Sequence, residues 1–338
     1  SVVDVIERDG FTADAKVTMI VEGETPATMA KSTGLGLLEL PTMFELLKPD
    51  VIITVGDRFE TMATAIAGAY MNIPLAHTMG GEITGTIDES IRHAVTKLSH
   101  VHFPANQQAA NRIVRMGEDP ESVHVVGCPR IDTVGEVVRN GDCALDAEFL
   151  DREGVGGHIA VDKPFLLVSQ HPVTTEYGEG ERQITETLMA LHELRMPSIM
   201  LWPNVDAGSE DVARGMRKFR EKCRPEYMRF YKNFPIETFI RLQRSAACLV
   251  GNSSAPLREG SFLGTPAVNI GTRQSGRDRG QNVVDAPHER AAIVEAVRRQ
   301  VAHGPYPPDH LYGDGASGPR VADVLARVPL RVQKRNFY

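Results

Sequence analysis

The sequence predicts an α/β protein of two open, mostly parallel sheets with helices on both faces. Three observations carry that prediction. Short apolar runs rich in β-branched residues alternate with longer stretches of helical periodicity. The 338 residues suffice for two domains, each with its own core. Asp57, Glu82, His171, Asn204 and Ser253 all follow predicted strands directly, where such folds hold their ligands.

Taken in order, the first helix closes at Leu46-Leu47-Lys48-Pro49-Asp50, because proline cannot continue it. Residues 51–55 are β-branched throughout, the composition of a strand covered on both faces. Gly56-Asp57-Arg58 turns the chain into an Ala- and Met-rich helix over 59–70. A strand over 73–77 leads into the glycine-rich loop 78–86 and a helix over 87–98. Strand 100–103 with helix 106–116, and strand 123–126 with the segment 129–139, continue the series. Between 140 and 163 the periodicity fails around Gly154-Val155-Gly156-Gly157, which reads as a linker or surface excursion. Alternation resumes with strand 165–169, helix 179–194 and strand 198–202, after which Asp206 is a candidate cap. Helix 235–244, strand 247–250 ending in Gly251-Asn252-Ser253-Ser254, a further helix and strand 266–270 complete the pattern.

Composition removes several classes of function. Asp plus Glu number 44 against 37 Lys plus Arg, a formal charge of −7, so the positive footprint of a nucleic-acid backbone binder is absent. A local basic pocket for a phosphorylated small molecule remains open. Cys128, Cys143, Cys223 and Cys248 are widely spaced with no C-x-x-C, which argues against a disulfide framework or structural zinc and for a reducing compartment. No apolar run approaches the roughly 18 residues of a membrane span, and no signal peptide is visible. A cytoplasmic protein that meets neither membrane nor nucleic acid is expected. The sequence has no G-x-G-x-x-G, P-loop, H-E-x-x-H or G-x-S-x-G. His100 and His102 share a strand face, but no ligand spacing accompanies them, so neither cofactor nor metal is expected.

The strand-end residues carry the chemistry. Gly251-Asn252-Ser253-Ser254 offers N–H groups and hydroxyls to a diphosphate at a helix start, or caps that helix in the ordinary way. Arg258, Glu259 and Arg273 follow closely; a glutamate suits ribose hydroxyls and an arginine suits phosphate. Asp57 and Arg58 form a charged pair at one strand end, unless they are only a surface turn. Glu82 lies among three glycines, in a loop that either approaches a ligand or is merely flexible. Asp88 begins a helix, where it favours the positive end or pairs with Arg92 four residues on. His77 and His171 each end a strand and serve either packing or chemistry.

Longer strings then resemble the hydrolysing UDP-N-acetylglucosamine 2-epimerases of the bacterial sialic-acid and related nonulosonic-acid type. They are Gly56-Asp57-Arg58-Phe59-Glu60, the run from His77 to Ala94, His171-Pro172-Val173-Thr174-Thr175-Glu176, Pro203-Asn204-Val205-Asp206-Ala207-Gly208, Gly251-Asn252-Ser253-Ser254 and Gly271-Thr272-Arg273-Gln274-Ser275-Gly276-Arg277. The resemblance implies two Rossmann-like domains facing across a cleft, the glycosyltransferase B arrangement. Residues 1–155 would form the first domain, 160–320 the nucleotide-binding second, and 321–338 a helix and tail returning to the first. It implies conversion of UDP-N-acetylglucosamine and water to N-acetylmannosamine and UDP, through 2-acetamidoglucal. On that basis Asp57, Asp88 and His171 are catalytic. Arg58, His77, Asn204, Asn252, Ser253, Ser254, Glu259 and Arg273 bind substrate. A homo-oligomer is expected.

The chain departs from the family pattern in two places. Met79 stands where well-known members carry a catalytic glutamate, and methionine cannot accept a proton; Glu82 is the replacement candidate. This departure fits a subfamily using a related UDP- or GDP-linked diacetamido sugar. Family members also begin with a strand and a glycine- or arginine-bearing loop that would precede Ser1, so the first domain is expected to lack its first strand. The rivals are a non-hydrolysing epimerase, which keeps UDP on the sugar, and a nucleotide-sugar sensor without turnover.

Overall fold

The computed structural model describes residues 2–23, 25–141, 144–204 and 206–337, so Cys143 and Val205 lie outside the described residues. The first region contains α1 (Val2–Arg8), α2 (Pro26–Leu47), β1 (Ile52–Val55), α3 (Phe59–Tyr70), β2 (Leu75–Thr78), α4 (Ile87–Leu98), β3 (Val101–Phe103), α5 (Gln107–Arg115) and α6 (Pro129–Arg139). Its strands form a parallel sheet in the order β1-β2-β3. Val55 is opposite Thr78 and Thr78 opposite Phe103, so the three carboxyl ends are level.

Local chemistry explains the boundaries. Thr25 and Thr28 cap the start of α2 reciprocally, and Lys48 closes it in the left-handed region before Pro49. Asn106 accepts the Ala109 N–H at 2.8 Å to open α5. α4 begins with Asp88 and Glu89 and ends with Lys97, the order its dipole favours.

Two expectations for this region fail. β1 is covered on one face only: Ile52 and Thr54 are buried while Ile53 is 46% and Val55 65% exposed, and β-branched residues fit such a half-buried pleated surface as well as a fully covered one. Residues 123–126 make no strand. Val123 bridges His102, and the His124 N–H reaches the His102 carbonyl at 2.9 Å. Pro104 then has no N–H to return the bond, so the pairing is one-sided, although the Val126 N–H still reaches the Pro104 carbonyl at 3.2 Å.

The second region holds α7 (Ala147–Glu153), β4 (Val155–Gly156), β5 (Leu166–Ser169), α8 (Gly180–Leu194), β6 (Ser198–Leu201), α9 (Ser209–Cys223), β7 (Met228–Tyr231), α10 (Ile236–Ser245), β8 (Cys248–Gly251), α11 (Glu259–Leu263), β9 (Ala267–Ile270), β10 (Val283–Ala286) and α12 (Arg290–His303). The sheet order is β10-β9-β8-β5-β6-β7-β4. All neighbours are parallel except β4, which runs antiparallel to β7. Leu166, Val168, Val250 and Val268 pack into the core on one face; Phe165, Leu167, Leu249 and Ala267 pack into the core on the other. Burial on both faces is why these strands read as continuous apolar runs.

The segment 140–163 is therefore no surface linker. Its Leu150 and Ile159 are core residues, and β4 closes the sheet edge. β7 and β10 escaped the sequence reading because Arg229 and Asp285 interrupt their apolar runs. A final helix, α13 (Ser317–Leu325), returns to the first sheet, where Val321, Val324 and Leu325 pack against Ala76, Val101, Phe103 and Val126. Lys334 then donates to the Lys97 and Ser99 carbonyls at 2.7 and 2.6 Å, closing the end of α4. Among the described residues no helix is long and apolar enough to cross a membrane.

Candidate active site

Because both sheets are parallel, their carboxyl ends gather the loops that carry charge. In the first region Asp57 leaves β1 and its carboxylate bonds Arg92 of α4. The second arm of Arg92 donates to the Glu82 carbonyl at 2.7 Å. Burial pushes the Asp57 carboxyl up, but Arg92, Arg277 and Arg258 outweigh it and hold the group below its ordinary value. Asp88 moves the other way. Burial and the neighbouring Asp57 charge raise its pKa, against a 3.0 Å bond from the Thr86 hydroxyl. Two carboxylates with opposed titration thus share one surface.

The second region supplies the facing groups. His171, two residues beyond β5, is held by Asn252, whose side chain accepts the His171 N–H at 2.7 Å and donates to its carbonyl at 2.9 Å. The Asn204 N–H donates to His171 Nδ1 at 3.1 Å, which leaves Nε2 to carry the ring proton. Burial, then Arg273, pushes the imidazole pKa down to about 3. Gly251 has φ +128, and a Cβ there would lie 2.1 Å from the Ser169 carbonyl oxygen, so glycine alone lets the β8 end lie against β5. Ser253 and Ser254 are half-buried in the turn that follows. Glu259 is 6% exposed: Oε1 lies 3.6 Å from Arg130, while Oε2 is buried with no partner. Burial raises its pKa against the pull of Arg130.

The two regions meet directly at these loops. Glu82 Oε2 accepts from Arg258 Nη2 at 2.9 Å and Arg277 Nε at 3.0 Å. Arg58 Nη1 donates to Asp206 at 3.2 Å. Arg112 grips Asp278 with two bonds of 2.9 and 2.7 Å. A Cβ on Gly85 would lie 1.9 Å from the Thr272 carbonyl oxygen, so this glycine permits backbone-to-backbone contact.

The structure reassigns several residues singled out in the sequence. Glu82, the replacement for the missing glutamate, is 1% exposed between two guanidiniums, and its pKa falls to about 2 despite burial. Such a group neither takes nor gives a proton near neutrality. His77 is fully buried, with Nε2 on the Gly56 carbonyl at 2.8 Å and Nδ1 3.3 Å from the Thr96 hydroxyl; it braces the Asp57 turn and lines no surface. Asn252 is also fully buried and positions His171. The side chain of Asn204 is exposed. No helix starts at Ser253: α11 begins at Glu259 and has five residues, so the helix-dipole argument for phosphate does not apply there. Arg92 bonds Asp57 rather than Asp88. His100 and His102 bond elsewhere, His102 to Glu118 at 3.1 Å.

Met79 is buried in an apolar cluster with Ala105, Cys128, Ile131 and Tyr312, and its φ is 65. Arg92, Asp206, Gln274 and Arg277 join the site without having been singled out for it. All four lie inside quoted motif strings, which was the available signal.

A family model described as UDP-N-acetylglucosamine 2-epimerase matches residues 2–326. The chain is 32% identical over 334 residues to a Legionella pneumophila protein named UDP-N,N'-diacetylbacillosamine 2-epimerase (hydrolyzing), covering 99% of this chain and 86% of that one. It is 31% identical over 324 residues to a UDP-N-acetylglucosamine 2-epimerase of Neisseria meningitidis, covering 95% and 81%. The crystal structure of UDP-GlcNAc 2-epimerase from Neisseria meningitidis bound to UDP-GlcNAc matches with a TM-score of 0.79 at 17% identity, over 96% of this chain and 88% of that one. That likeness shows an α/β fold with two sheet regions of the same kind.

Proposed function

The chain belongs to the UDP-N-acetylglucosamine 2-epimerase family, and on that premise we propose that it is a hydrolysing 2-epimerase of a UDP-linked 2-acetamido sugar, converting UDP-N-acetylglucosamine and water to N-acetylmannosamine and UDP. The observation that carries this reading is the pairing of Asp57, held anionic, with Asp88, raised, opposite a wall of arginine, histidine and an unpartnered glutamate oxygen.

The difficult event is removing an unactivated proton from C2. It becomes feasible when the C1–O bond to the diphosphate breaks and positive charge develops at C1. Asp57 stabilises that charge as a fixed anion, and Asp88 takes the C2 proton as the electron pair forms the C1–C2 double bond of 2-acetamidoglucal. Water then adds, OH to C1 and the proton to the opposite face of C2. His171, neutral, turns its Nε2–H from the Ser169 hydroxyl, 3.2 Å away, to the leaving diphosphate without transferring a proton, and Arg58 and Arg273 balance its charge. Glu259 Oε2 accepts from ribose hydroxyls, and the Ser253-Ser254 turn meets phosphate. In this reading the two regions are Rossmann-like domains closing on one cleft, 1–155 on the sugar, 160–320 on the nucleotide, with 321–338 crossing back.

A second reading changes only the sugar. Two relatives are named for N,N'-diacetylbacillosamine, and Met79 presents an apolar side chain where the family glutamate would stand. Incubation in heavy water with UDP-N-acetylglucosamine, and separately with UDP- and GDP-linked diacetamido sugars, tests both. Released nucleotide together with deuterium at C2 of a free amino sugar supports the class, and the faster substrate names the sugar. An equilibrium of two UDP-sugars without free UDP would indicate the non-hydrolysing reaction, and binding without turnover a sensor.

A further inference from the structure

Asp206 occupies a place that neither its sequence position nor the chemistry above explains. Its backbone carbonyl accepts the Ser209 N–H at 3.0 Å, so it shapes the start of α9 without spending its side chain. The carboxylate instead lies between the regions: Oδ1 accepts from Arg58 Nη1 of the first at 3.2 Å, and Oδ2 lies 4.0 Å from Arg273 Nη2 of the second. Its side chain is 15% exposed, against 47% for that of Arg58. Arg58 also reaches Glu60, two residues along its own chain, at 3.3 Å, and lies over the Phe59 ring. Among the described residues Asp206 is the second-region side chain that bonds this arginine.

We propose that Asp206 is a positioning residue for the epimerisation: it holds Arg58 across the two regions, beside Arg273 of its own region, and adds the negative charge that, with Asp57, shapes the field at Asp88. This deepens the function proposed above and rests on it. Asp88 is faced by the Thr86 hydroxyl from its own helix start, Asp57 and Arg58 from the β1 end, Arg273 from the β9 end and Asp206 from the β6 loop. Two anions and two cations therefore surround it; Asp206 pairs with Arg58, while Arg273 lies 4.0 Å from it and donates to the Asn252 carbonyl at 3.2 Å. Removing its charge leaves Asp88 beside one anion fewer, which favours the ionised carboxyl.

The test compares wild type, Asp206→Asn and Asp206→Glu by UDP release from the best nucleotide sugar, with full pH profiles of kcat and kcat/KM. Asp206→Asn is expected to lose roughly 10- to 100-fold in kcat, because misaimed groups cost most in the transition state. The limb governed by Asp88 is expected to move to lower pH by about one unit. Asp206→Glu restores the position of that limb while recovering only part of the rate. A purely structural role would lower thermal stability and leave the limb unmoved, and that outcome overturns the proposal. So does an Asp206→Asn enzyme within twofold of wild type. If Asp206→Asn fails to fold, Arg58→Lys with and without Asp206→Glu provides the same comparison, and rate losses that simply multiply overturn the proposal. Wild type that releases no nucleotide from any of these sugars defeats the underlying reading as well, which separates the two failures.

Discussion

The Glu82 carboxylate lies 2.9 Å from the Arg258 guanidinium, 176 positions away in the chain, and the glutamate is 1% exposed. One buried anion, shared with Arg277, thus joins the glycine-rich loop after β2 to the turn after β8. The family resemblance cast this residue as a stand-in base, but its arginine partners make it a tether.

Glu82→Ala is expected to destabilise the protein by about 3–5 kcal/mol, since among the described residues it removes the direct ion-pair partner of two largely buried cations. Thermal or urea unfolding measures it. Glu82→Gln should lose less, because an amide still accepts from one guanidinium.

Glu82 also predicts acid lability. Its pKa falls from an ordinary 4.5 to about 2 on folding, so the unfolded chain takes up the proton first. The stabilisation is complete above about 4.5 and is lost as pH falls towards 2, on the order of 3 kcal/mol in total. His77 and His171 add to this from higher pH. Folding lowers their values from 6.5 to about 4 and about 3, so each withdraws stability as pH falls below about 6.5, at about 1.4 kcal/mol per pH unit. Melting temperature should drop steadily from pH 7 to pH 4, and a flat profile would contradict both burials.

Asp57→Asn and Asp88→Asn should each reduce kcat by roughly 10²- to 10⁴-fold while UDP affinity changes little. Calorimetric titration with UDP beside a turnover assay separates the two effects. Comparable losses in UDP binding would place these carboxylates on the wrong wall.

Glu259→Gln keeps the size of the side chain but replaces a carboxylate, one oxygen of which is unpartnered, with an amide. UDP affinity is expected to fall about tenfold or more, with kcat at saturating substrate nearly unchanged. A deoxyribose analogue of UDP should lose affinity with wild type and lose little further with the variant.

His171→Gln should retain more activity than His171→Ala, because a neutral N–H donor is what the site uses. No limb between pH 5 and 8 should belong to this residue, given its pKa of about 3. A limb near 6.5 that disappears in both variants would show instead that the ring transfers a proton.

Much was legible without coordinates. The ends of α3 and α4, the alternation, and the clustering of unusual residues at strand ends follow from local periodicity, caps and the rule that parallel sheets hold ligands at their carboxyl ends. The motif strings brought the family. Strand-end placement marks Asp57 and His171 as candidates and nearness to the Gly251-Asn252-Ser253-Ser254 turn marks Glu259, whereas Asp88, at a helix start, is assigned by the family resemblance. What each of them does is a matter of partners distant in sequence. Glu82 and Asp88 are acidic residues six apart, yet one meets Arg258 and Arg277 while the other meets Asp57 and Asp206, so their affinities for a proton diverge in opposite directions. Likewise β1 is uniformly β-branched, but only packing leaves one of its faces open. Local propensity acts over a few residues and is written in the chain; burial and charge pairing act through space, and only the folded arrangement of the two sheets sets them.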